Sequence, residues 1–123
     1  MKNKPTEKEL EILQVLWKLG PATVRQVNDK LSEEKEVGYT TTLKFMQIMY
    51  DKGLLDRKSI GKSHEYIALI TEEDTQKTLV DQLMKSAFQG SAMKLVMQAL
   101  GNKKSSAKEL EQIKKFIDDL ENK

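Results

Sequence analysis

The chain has no cysteine, a single histidine, and no apolar run near the roughly 20 residues that cross a bilayer. The missing cysteines exclude disulfides, a thiolate nucleophile and a cysteine metal site together. One histidine leaves a histidine zinc site or a histidine-driven hydrolase hard to assemble. No glycine-rich phosphate loop and no Ser/His/Asp arrangement stands in for it. Neither an enzyme nor a bound cofactor or metal is expected. Aromatic residues are 6% of the 123 residues, hydrophobic residues 38% and charged residues 33%, so the core is thin and the surface faces water. Length and composition suit one domain, or a compact domain with an assembly segment. The opening MKNKPTEKEL is basic but lacks the apolar stretch of a signal peptide, so the sequence reads as cytoplasmic, without membrane contact.

What is present is a pattern of helix signals. Thr6 to Glu9 is T-x-x-E, a capping box, and Leu10, Leu13, Leu16 and Trp17 follow at helical spacing until Gly20-Pro21. Thr23 to Gln26 is T-x-x-Q, and Val24, Val27 and Leu31 line the second helix. Ser32 to Gly38 reads as a loop. A third helix runs from GYTTTLKFMQIM to Lys52 and stops at Gly53. Leu55–Ser59 and His64–Leu69 read as strands around an Ile60-Gly61-Lys62-Ser63 turn. Thr71 then opens a helix whose first turn, Glu72, Glu73 and Asp74, suits the helix dipole better than it suits catalysis. Gly90 stops that helix and Ser91 restarts one, residues 101–106 read as a loop, and Ser106 to Glu109 is another capping box. Three helices and a hairpin predict a mostly α fold with a small β-hairpin wing. It comprises an N-terminal winged helix-turn-helix over residues 1–70 and a helical dimerisation domain over residues 71–123. The stripes of that second part are Leu79, Leu83, Phe88, Leu95, Val96 and Leu100, then Leu110, Ile113, Ile117 and Leu120. They cannot close a core within so few residues, which predicts a homodimer.

The third helix points to a partner. Thr42, Phe45, Met46 and Met49 fall on one face, which should be buried; Thr40, Lys44, Gln47 and Asp51 lie opposite, with Thr41, Leu43 and Ile48 on the flanks. Threonine, lysine and glutamine near a helix N-terminus are groups that bond phosphates and base edges in a major groove. Net charge is only +2, but residues 38–64 hold Lys44, Lys52, Arg57, Lys58 and Lys62 against Asp51 and Asp56. A basic wing tip with Lys62 can hold the phosphate backbone of double-stranded DNA. His64 beside it reads as a DNA contact or as an ordinary surface residue. A winged helix serving only protein contacts is the alternative; the exposed Lys44 and Gln47 and the basic wing count against it.

The run T-x-x-E-L-E-I-L-x-x-L-W, then GPATVRQV, YTTTLKFMQIMYDKGLL and GKSHEY, with AFQGSAMKLVMQAL and SSAKELEQIKKFI later, resembles the BlaI/MecI family of penicillinase repressors. The resemblance implies a bacterial transcriptional repressor that binds a palindromic operator as a homodimer. By position, the implied DNA contacts are Thr40, Thr41, Leu43, Lys44 and Gln47, with Lys62 in the wing; Leu43 departs from a polar residue expected in some members. The copper-responsive branch carries cysteines near its C-terminus, and this chain has none. The resemblance also implies a regulatory protease or sensor protein as partner. In the penicillinase branch the cut falls at an Asn-Phe pair, where this chain has Gln98-Ala99.

Overall fold

The computed structural model describes residues 4–101 and 105–123; Asn102, Lys103 and Lys104 of the expected loop lie outside the described residues. Helix α1 spans Glu7–Leu19, and its capping box forms as the sequence predicts. The Glu9 amide donates to Thr6 Oγ1 at 3.2 Å and the Thr6 amide to Glu9 Oε1 at 2.9 Å. Helix α2, Val24–Leu31, opens on the same device between Thr23 and Gln26. Helix α3 is Tyr39–Asp51. Strands β2, Leu55–Ile60, and β3, Ser63–Ala68, pair antiparallel, with Ile60 opposite Ser63. The turn is therefore two residues long, tighter than the four-residue turn expected. Gly61, at φ +59°, takes the positive φ that the first central residue of a type II′ turn requires.

Strand β1, Ala22–Thr23, is an element the sequence does not signal. It pairs with β3 through Ala22 and Tyr66, giving a three-stranded sheet in the order β1-β3-β2. Two residues carry no readable period, and β1 exists only because β3 lies beside it. The α1, α2 and α3 helices and the sheet close on one core in which Leu13, Val27, Met46, Met49, Leu55 and Tyr66 are fully buried. The Trp17 indole N–H donates to the Ile70 carbonyl at 2.9 Å, tying α1 to the end of the wing.

Helix α4 is Glu72–Ala87, α5 Ala92–Gly101 and α6 Ala107–Glu121. Gln89 and Gly90, both at positive φ, separate α4 from α5, and the Gly90 amide returns to the Met84 carbonyl at 2.8 Å. The chain divides into two compact units at Leu79/Val80, nine residues beyond the boundary read at 70/71. The sequence marks where a helix starts, at the Thr71 cap, but not that its first turns, with Thr75 buried, belong to the N-terminal unit. Among the described residues of the second unit, none is buried.

Candidate nucleic-acid interface

Helix α3 buries Thr42, Met46 and Met49, half-buries Phe45, and leaves Thr40, Thr41, Lys44 and Gln47 exposed. No side chain caps it, because its N-cap is Gly38. Capping is therefore not what the three threonines do. Thr42 turns inward and donates to Asn28 Oδ1 at 2.6 Å, a buried bond joining α2 to α3. It fixes the two helices against each other, while Thr40 and Thr41 are left to solvent.

A cleft of ≈ 380 Å³ opens between α2, α3 and the wing. Leu43 and Gln47 reach it from α3, and Lys62 and His64 from the wing. Three cations line it, Arg25, Arg57 and Lys62, and no carboxylate does. Such a lining favours a polyanion. The strand register explains which wing residues take part. Arg57 pairs with Tyr66 and Ser59 with His64, so these lie on the face of the sheet that packs toward α3. Lys58, one residue on from Arg57, faces the other way by the period of two and does not line the cleft, although it adds to the positive charge of residues 38–64.

Arg57 itself is not a tip residue. Its guanidinium lies 4.0 Å from the centre of the Tyr50 ring and donates to Tyr66 Oη at 3.5 Å. That hydrogen bond, with the neighbouring Tyr50 and Asp51, raises its already high pKa. It braces the base of the wing against the C-terminal half of α3. Thr41 also departs from the expected grouping. It is exposed, but on the opposite flank of α3 from Leu43, beside a groove of ≈ 450 Å³ lined by Val37 and Phe45 among others. The cleft thus gathers Leu43, Gln47, Lys62 and His64; Thr40 and Lys44 are exposed on α3 outside its lining, and Thr41 belongs to another surface.

Among the cleft residues not expected from the sequence are Arg25 and Tyr39. Arg25, near the start of α2, lies with its guanidinium 4.7 Å from the centre of the Tyr39 ring, at the start of α3. A lone arginine fourteen positions from a tyrosine gives no sequence signal; only the α2–α3 packing brings them together.

In the second unit the expected dimerisation residues are all at least partly open. Leu79 (the last residue of the first unit), Phe88, Leu95, Leu100 and Ile113 are half-buried, and Leu83, Val96, Leu110, Ile117 and Leu120 are exposed. Among the described residues no cluster of His, Asp and Glu could hold a metal, and no helix is long and apolar enough to cross a membrane.

The chain is also similar to known proteins. Residues 5–119 match the penicillinase repressor family. The methicillin resistance regulatory protein MecI of Staphylococcus aureus (strain N315) is 22% identical over 109 residues, covering 89% of both chains. A penicillinase repressor of Bacillus licheniformis is 22% identical over 118 residues, 96% of this chain and 92% of that one. Among solved structures, a MarR family protein from Bacillus stearothermophilus shares the fold, with a TM-score of 0.52 at 16% identity over 98% of this chain and 76% of that one.

Proposed function

The chain belongs to the penicillinase repressor family and is a transcriptional repressor, and from that premise we propose how it holds DNA. It binds a palindromic operator as a homodimer. Each protomer inserts α3 into a major groove, where Lys44 and Gln47 meet base edges, while Lys62 at the wing turn holds the phosphate backbone. The observation that carries this reading is the acid-free cleft beside α3, with cations from both α2 and the wing. The homodimer is supported by a second unit with no buried residue of its own among those described. Two tethered winged helices gain affinity from effective concentration, and that gain vanishes when the tether is cut or loosened. An inducing partner, whether a regulatory protease or a sensor protein, would therefore act on the second unit and leave α3 untouched.

The test begins by selecting bound sequences from a random duplex pool and asking whether they are two-fold symmetric. On the selected duplex, Lys44→Ala should weaken binding by about 1–3 kcal/mol per half-site and leave random duplex nearly unaffected. Lys62→Ala should weaken both duplexes alike and flatten the salt dependence. An equal loss on both duplexes for Lys44→Ala would make Lys44 a phosphate contact and overturn its role as a base reader.

A further inference from the structure

We infer that Arg25, held on the ring of Tyr39, is a second anchor for DNA, a phosphate contact made from α2. The inference rests on the reading of this face as the DNA surface. Arg25 is exposed at the second position of α2 and lines the cleft shared by Leu43, Gln47, Lys62 and His64. Among the described residues it has no carboxylate partner and donates no hydrogen bond within the protein. Its one strong contact is with the face of Tyr39 at 4.7 Å. That contact is to π electrons, so it uses none of the five N–H donors of the guanidinium.

An exposed arginine ordinarily samples many rotamers and loses that freedom on binding. Here the ring limits the rotamers beforehand, while the charge and the donors stay available. Arg57 offers a contrast in the same cleft, because it is engaged by both Tyr50 and Tyr66 and serves to brace the wing. The position of Arg25 selects phosphate over base. It stands on the first helix of the helix-turn-helix, which crosses the backbone, whereas the second helix enters the groove. With Lys62 on the wing, Arg25 gives the cleft a backbone contact on each side of α3.

The experiment measures binding of the full chain to a random-sequence 30-base-pair duplex, by fluorescence anisotropy, across a series of KCl concentrations. Arg25→Ala should weaken binding about tenfold near 0.1 M salt and lower the slope of log K against log salt by about 0.9 per protomer. Tyr39→Leu keeps the charge but removes the ring, so it should weaken binding about threefold and keep the wild-type slope. Arg25→Lys should resemble Tyr39→Leu. Arg25→Gln keeps much of the stem and should repeat the Arg25→Ala result, and an unchanged unfolding midpoint separates lost contact from lost fold. Wild-type affinity and slope in Arg25→Ala overturn the inference. So does a loss confined to a selected operator sequence, which would make Arg25 a base contact. Absence of any salt-dependent binding by the wild type would instead overturn the DNA reading of the face, and this inference with it.

Discussion

At the scale of single residues, buried polar groups link the helices. Glu9 is 2% exposed, an unusual place for a carboxylate, and it serves two partners. It closes the capping box of α1 and accepts from Lys52 Nζ, at the C-terminal end of α3, at 2.8 and 3.0 Å. Burial alone would raise its pKa, but the Lys52 ammonium and the groups of Thr6 outweigh that effect and hold it below the ordinary 4.5. A carboxylate with a lowered pKa in the folded state contributes stability above its unfolded pKa and loses it as pH falls through the folded value. Glu9→Gln should therefore lose about 1–2 kcal/mol at pH 7. The gap from wild type should narrow as pH drops below about 4.5. Urea unfolding of both proteins at neutral and acid pH reads this directly, and a gap constant with pH would show that the ion pair is not its source. The capping box itself is legible in the sequence, as T-x-x-E. The lysine that shares the carboxylate, 43 positions away, is not, because it depends on how α1 crosses α3.

At the scale of elements, the wing tip depends on one backbone angle. Gly61 sits at φ +59°, so Gly61→Ala places a side chain where L-residues are strained and should cost about 1–2 kcal/mol. A thermal melt measures the loss; an unchanged melting temperature would mean that the two-residue turn is not held in solution. Every helix but α3 announces its start with a capping Thr or Ser; α3, which no side chain caps, was legible from its 3.6-residue apolar face and the Gly53 stop. The two long strands were legible from a period of two and a glycine turn. Strand β1 was not, because a pair of residues has no period. The candidate interface divides the same way. Local charge and helix face pick out Gln47 and Lys62, which line the cleft, and Lys44, which lies exposed on α3 outside its lining. Thr41 and Leu43, only two positions apart in a helix, fall on opposite flanks and so face different surfaces. Arg25 and Tyr39 meet only through the packing of α2 on α3.

At the scale of the whole molecule, the two units differ in kind. The first closes a core of helices and sheet, and the second, over Val80–Lys123, has no buried residue among those described. Phe116 is 63% exposed there and Met93 72%, far more open than the residues of any finished core. The proposed homodimer would complete this unit with a second copy, and its stability would then depend on how many copies are present. The melting temperature of the full chain should climb with protein concentration, since a hundredfold excess over the dissociation constant adds about 2.7 kcal/mol. A melting temperature independent of concentration, alongside a monomer in equilibrium sedimentation, would refute the homodimer. The consequence reaches past equilibrium. If the proposed homodimer forms, single protomers would leave the apolar stripes of α5 and α6 open to proteases and to aggregation, and paired ones would cover them. In the proposed homodimer, the lifetime of the chain would then follow its abundance as well as its fold.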